Sequence, residues 1–153
     1  MKFKFIKSLL GIFLTNVCFS IFAHAKTLEF EEIYCEIKIN KKKKALFSLY
    51  VADTYEKRKY GLMNREYIKS NSGMLFMWKD LEKRIFWMKN TYFDLDLFFL
   101  GKEGQVLEIF KNAKAFDENQ IFSKQKVMFV LELKAGEHQI KIGDKLNCAY
   151  LNL

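Results

Sequence analysis

The chain has 153 residues, 26 Lys and Arg against 18 Asp and Glu, a formal charge of +8, and an apolar half. That length fits one domain with a real hydrophobic core, and no repeat, linker or low-complexity tract divides it. The sequence has no proline, so its turns must rely on glycine, asparagine, aspartate and lysine.

Residues 1–25 read as a cleaved secretory signal. Lys2, Lys4 and Lys7 make a basic start, and no acidic residue precedes Glu29. Leu9 to Phe22 is apolar apart from Gly11, Thr15, Asn16 and Ser20. Ala23-His24-Ala25 then sets small residues at the −3 and −1 positions before Lys26. A membrane anchor needs about 20 apolar residues, and this stretch is shorter and polar in its middle. Cys18 lacks the small preceding residue that lipoprotein processing prefers. The expectation is a periplasmic or secreted protein whose residues 26–153 form a single β-rich domain, touching membrane only if the signal segment is retained. Loss of the segment removes three lysines and no acid, so 23 basic groups then face 18 acidic ones, a charge of +5. Nucleic acid is not an expected partner for an exported chain, and Lys41 to Lys44 reads as a solvated turn.

The elements follow in order. Glu32 to Ile39 alternates with period two and predicts a strand. Ala45 to Ala52 predicts a second, joined to it as a hairpin across the lysine turn. Asp53-Thr54-Tyr55-Glu56 reads as a capping box opening a short helix through Met63, with Asp53 as cap. Met74 to Trp78 and Ile85 to Met88 predict strands on either side of a charged connection from Lys79 to Arg84. Asp96 to Leu100 and Gln105 to Phe110 flank a turn at Gly101-Lys102-Glu103-Gly104. Lys111 to Lys124 reads as the longest irregular loop. Val127 to Leu133 and Lys145 to Leu151 predict the last strands, with a short helix or turn around Gly136 to Lys141. The whole predicts a mostly β fold, a compact antiparallel barrel or jelly-roll-like sandwich with one or two short helices. No strand–glycine-loop–helix phosphate motif supports an α/β alternative.

Cys35 and Cys148 fall in the first and last strands, in a compartment where disulfides persist. If those strands are neighbours, a bridge closes a loop of about 113 residues and stabilises by roughly 4–5 kcal/mol in the chain-entropy treatment. The alternative is two buried thiols, and the sequence leaves both open.

Several strings resemble one family. They are Gly61-Leu62-Met63-Asn64-Arg65, Gly73-Met74-Leu75-Phe76, Phe86-Trp87-Met88-Lys89-Asn90-Thr91 and Leu95-Asp96-Leu97-Phe98-Phe99, followed by Val130-Leu131-Glu132-Leu133 with Gly136 and Gly143-Asp144. In this order, over roughly Ile33 to Leu146, they resemble the domain of unknown function 192 family (uncharacterised protein family 0127). The resemblance implies a compact jelly-roll or barrel fold, commonly behind a signal peptide, and no established reaction. Phe93-Asp94 stands where the family usually has isoleucine-proline, which frees the turn from a preset φ and adds a carboxylate.

Candidate ligand-binding residues are Arg65, Lys89, Asn90, Thr91, Asp96 and Glu132. A strand ending near Met88 would bury Trp87 or Met88 and present Lys89, Asn90 and Thr91 at a barrel mouth, joined by the other three. Such a cluster suits a small anionic or hydroxyl-rich ligand. The competing view makes Asp96 a turn cap and pairs Arg65 with Glu132 or Asp96 to hold the helix on the sheet. Catalysis has less to build on. Neither Ser48 nor Ser72 sits in a nucleophile elbow, and His138 is the one histidine beyond the signal. Asp94, Asp96 and Glu132 remain for carboxylate acid–base chemistry, as in a hydrolase. Copper binding through Met63, Met74, Met77, Met88 and Met128 suits the compartment, but methionines among aromatics ordinarily fill core gaps. One histidine and two distant cysteines argue against zinc. The reading is a non-enzymatic binding or accessory domain of the cell envelope, with no cofactor, whose partner is a small molecule, a glycan or an envelope protein.

Overall fold

The computed structural model describes residues 28–39 and 43–148. The signal-like segment, the centre of the lysine turn and residues 149–153 lie outside the described residues.

The described residues fold into nine strands and one helix, and the expectation of a mostly β fold holds. In chain order these are β1 (Glu32–Ile39), β2 (Lys43–Ala52), α1 (Tyr55–Tyr60), β3 (Ser72–Glu82) and β4 (Ile85–Phe86). There follow β5 (Leu95–Leu100), β6 (Val106–Ala113), β7 (Ile121–Phe122), β8 (Val127–Lys134) and β9 (Lys145–Cys148). Seven strands form one sheet in the order β6-β5-β8-β3-β2-β1-β9, while β4 and β7 pair separately. The large sheet curls into a half-barrel. Its two edges touch at one end, where Gln105 bridges Lys145 and the Leu146 amide donates to the Gly104 carbonyl at 2.9 Å.

Every neighbouring pair but one is antiparallel; β2 and β3 run parallel, with Leu49 opposite Gly73. Parallel neighbours need a crossover, and α1 with the segment after it supplies one. The helix starts one residue later than expected. Thr54, in extended backbone, is the cap and accepts from the Lys57 amide at 3.2 Å, while the Asp53 carboxylate meets the Lys57 ammonium at 3.3 Å. It also stops early. Gly61, at φ 54°, returns its amide to the Lys57 carbonyl, a left-handed position that favours glycine.

Period-two alternation divides the core between the faces of the sheet. Ile33, Cys35, Ile37, Phe47, Leu49, Leu75, Phe98, Leu131, Leu146 and Cys148 fill the concave side. Met74, Phe76, Leu97, Phe99 and Val130 face the convex side, where Leu62, Ile68, Phe86, Met88 and Ile121 cover them. Segments that read as irregular therefore form a second layer. Lys111 to Ala113 extend β6, and Ile121–Phe122 pair with Ile85–Phe86, so the expected long loop is partly strand. Likewise β3 runs on through the expected charged connection to Glu82. The expected strand Ile85 to Met88 shrinks to two residues, and Gly136 to Lys141 is a turn, with no helix.

Cys35 stands opposite Cys148 in the β1–β9 register, and the two form a disulfide across a sequence separation of 113. The bridge thus ties the first strand of the sheet to its edge strand.

Candidate functional site

The sheet sorts the candidate residues by face. Glu132 lies between Met74 of β3 and Leu97 of β5, on the convex side with Val130. Asp96 is opposite Leu133, a residue of the concave core. The two carboxyls point to opposite sides of the sheet, which separates Asp96 from Glu132, whereas Asp94 and Asp96 border one concavity with Lys111 and Asn112.

Asp96 is buried and fully engaged. Its Oδ2 accepts from the Lys111 ammonium at 2.9 Å and from the Gly136 amide at 3.2 Å, and its Oδ1 accepts from the Asn112 amide at 2.9 Å. Those bonds tie β5 to β6 and to the turn after β8. Asp94 serves the neighbouring loop in the same way, accepting from the Ala115 amide and the Lys114 ammonium. The Lys114 ammonium, with help from that amide, holds its carboxyl below the usual range.

Arg65 pairs with neither carboxylate. Its guanidinium lies 4.1 Å from the centre of the Tyr50 ring and 5.5 Å from that of Phe30, a cation–π arrangement that holds the loop after α1 against β2. Asn90, at φ 51°, is a turn residue whose carbonyl accepts from the Asn64 amide at 2.8 Å. Lys89 lies 4.0 Å from Glu118 and 5.2 Å over the Trp87 ring. Met88 is buried, while Trp87 is 41% exposed. The methionines are divided between the two sides of the sheet: Met74 and Met88 lie in the convex core and Met63 borders the groove on that side, whereas Met77 and Met128 pack against the concave core. Among the described residues, no group of three or more His, Cys, Asp and Glu side chains is placed to hold a metal ion. His138 stacks edge-on against Phe47 at 4.9 Å, and burial lowers its imidazole below the ordinary value.

Of the candidates, Glu132 and Thr91 are brought to one place. They share an open groove of about 390 Å³ between α1, the Gly61–Met63 turn, β3 and β4. Its walls are aromatic. Phe76 and Trp78 stack at 6.4 Å, Phe86 stands nearly perpendicular to both, and Tyr60 and Trp87 lie toward the opening. The groove continues past Tyr55, Tyr60, Met63 and Trp87 to Leu28 and Lys89. Arg58 of α1 lines it too, donating to the Asp53 and Met77 carbonyls and lying 5.2 Å from the Trp78 centroid.

Glu132 is 4% exposed and has no hydrogen-bond partner among the described residues. Burial alone raises its carboxyl from an ordinary 4.5 to about 8, so the group is mainly a neutral acid at pH 7. A protonated carboxyl both donates and accepts, and buried polar groups are rarely left unpaired. Gly73 lets β8 come this close to β3: a Cβ there would sit 2.0 Å from the Glu132 carbonyl oxygen.

The aromatic walls were not identified from sequence as part of a site. Trp78 and Phe86 lie in apolar strings that read as core, and nothing in the sequence says that α1 stands off from them. The one available signal was Glu132 itself, a carboxylate inside the apolar run Val130 to Leu133.

A half-barrel sheet with a polar floor in an aromatic groove defines a small β domain with a ligand-sized concavity on its convex face. The chain belongs to the DUF192 family, described as Uncharacterized ACR, whose profile matches residues 36–148. No curated protein matches it. A crystal structure from Sinorhizobium meliloti 1021, described as a proposed transcription regulator, is similar at TM-score 0.78 and 29% identity, over 80% of this chain and 98% of that one. A protein of unknown function from Novosphingobium aromaticivorans DSM 12444 is similar at TM-score 0.72 and 28% identity, over 76% and 84% of the two chains.

Proposed function

We propose that this protein is an exported binding domain of the cell envelope that takes a small molecule into the groove between α1 and the convex face of the sheet. The observation that carries the reading is Glu132: a buried carboxyl, without a partner, on the floor of an aromatic groove. A fold built only for stability gains nothing from such a group, because a well-packed apolar residue there avoids the cost of taking a carboxyl largely out of water with no protein bond in return. A ligand that bonds to Glu132 removes that cost. The volume lies at the small end of the range for ligand sites, about 300–1,000 Å³, which favours one small molecule over a protein partner.

Export is supported by the signal-like residues 1–25 and by the Cys35–Cys148 disulfide, since such bonds persist in oxidising compartments. The family match begins only at Glu36, which leaves the signal-like residues outside the shared domain. Fractionation of cells producing the full chain tests this part. A protein in the envelope fraction with Lys26 as its first residue supports export, and a cytosolic protein retaining Met1 contradicts it. Binding is tested by a thermal-shift screen of small molecules on the oxidised protein, because a ligand of the folded form must raise Tm. Hits should lose their effect in Glu132→Leu and keep it in Asp96→Asn. Hits that survive Glu132→Leu at full strength contradict the assignment of the groove.

A further inference from the structure

The groove is asymmetric in a way that specifies its ligand. Its floor offers two polar side chains, Glu132 and Thr91, and the Thr91 hydroxyl already donates to the Lys89 carbonyl at 3.3 Å. Its walls are Phe76, Trp78, Phe86 and Trp87. The charged groups that line it besides Glu132 are both cations: Arg58 and Lys59, on the last turn of α1. Among the described residues Lys59 has no ion-pair partner. Where the groove runs outward, Lys89, 4.0 Å from Glu118, is balanced by Glu56, so the unbalanced cations are the inner pair Arg58 and Lys59.

We infer that the groove takes a small, planar, apolar-bodied monoanion, whose anionic group meets Arg58 and Lys59 and whose far end carries a hydroxyl or carbonyl bonded to Glu132. This inference rests on the binding function proposed above and names the ligand class for that same site. The ring faces have aromatic partners in offset or edge-on geometry, and the anion finds positively charged donors. A free sugar fits poorly, because its many hydroxyls would exceed the two polar side chains of the floor and leave donors unpaired. A cationic ligand would face Arg58 and Lys59 across the opening. Burial keeps the Glu132 carboxyl protonated at neutral pH, so the floor does not repel an anion.

Trp78 and Trp87, the two tryptophans of the chain, both line the groove, so intrinsic fluorescence reports on this site. The test titrates the oxidised protein with 4-hydroxybenzoate, 4-hydroxybenzyl alcohol, tyramine, benzoate and glucose at pH 7. The expected result is a fluorescence change with 4-hydroxybenzoate at a Kd about tenfold below those of the alcohol and the amine, since a charge-assisted pair contributes on the order of 1.4 kcal/mol. Benzoate, lacking the far hydroxyl, should bind more weakly than 4-hydroxybenzoate in the native protein and equally in Glu132→Leu. Lys59→Glu, an exposed change that leaves the core intact, should reverse the order of 4-hydroxybenzoate and tyramine. Tyramine, the alcohol or glucose binding as well as 4-hydroxybenzoate would overturn the ligand class while leaving the groove a binding site. No change with any probe, in fluorescence or in Tm, would overturn both.

Discussion

Replacing Glu132 by glutamine should make the protein more stable, and by an amount that depends on pH. The carboxyl ionises near 4.5 when exposed and near 8 when folded. Below pH 4.5 both states carry the proton and the residue costs the fold nothing electrostatic. Between 4.5 and 8 the unfolded chain has lost the proton and the native one retains it, so stability falls as pH rises. At about 1.4 kcal/mol per pH unit the loss reaches roughly 3 kcal/mol at pH 7 and approaches 5 above pH 8, as an upper bound. Glutamine keeps the shape and removes the ionisation. Urea denaturation of both proteins from pH 4 to 9, read by circular dichroism, measures the difference. The two should have nearly equal stability at pH 4, with the glutamine variant ahead by a few kcal/mol at pH 8. A difference that stays constant across the range would mean that Glu132 ionises in the native protein as it does in water.

Three further outcomes follow from the same geometry. Replacing Cys35 and Cys148 by serine should lower stability by roughly 4–5 kcal/mol, the loop-closure estimate for 113 residues, and a variant that melts with the native protein would show the bridge to be dispensable. Asp96→Ala orphans the Asn112 and Gly136 amides and should cost roughly 2 kcal/mol without changing ligand response at the groove; loss of binding at unchanged Tm would instead make Asp96 part of a site. Gly73→Ala sets a methyl group against the β8 backbone and should cost on the order of 1–3 kcal/mol, whereas a neutral result would mean that β3 and β8 part without penalty.

Strand β1 and the buried set Ile33, Cys35 and Ile37 were legible because one face meets the core and the other meets water, which writes period two into the sequence. The end of β3 was not. Lys79 to Glu82 are exposed on a projecting strand, so their charge reads as loop although their backbone is extended. The cap of α1 was misplaced by one residue because Asp53 and Thr54 are both good caps, and the choice rests on which one adopts extended backbone. At the site, Glu132 was legible as a carboxylate within an apolar run, and Thr91 as part of the polar Lys89-Asn90-Thr91 string. Asp96 could not be separated from Glu132 by sequence, since the pairing of Leu97 with Glu132 decides which face each occupies. The aromatic walls depend on α1 packing beside β2 and reaching β3 through Arg58, a tertiary placement with no local signal.

The proposed ligand site is the convex-face groove, and not the barrel end around Asp96. Amide NMR spectra of the ¹⁵N-labelled oxidised protein, recorded during titration with 4-hydroxybenzoate or a thermal-shift hit, test it most directly. Binding in the groove should shift resonances clustered at Gly61, Leu62, Thr91 and Glu132, with the Trp78 and Trp87 indole resonances moving in step. Shifts confined to Asn112, Ala135 and Gly136 around Asp96 would contradict it.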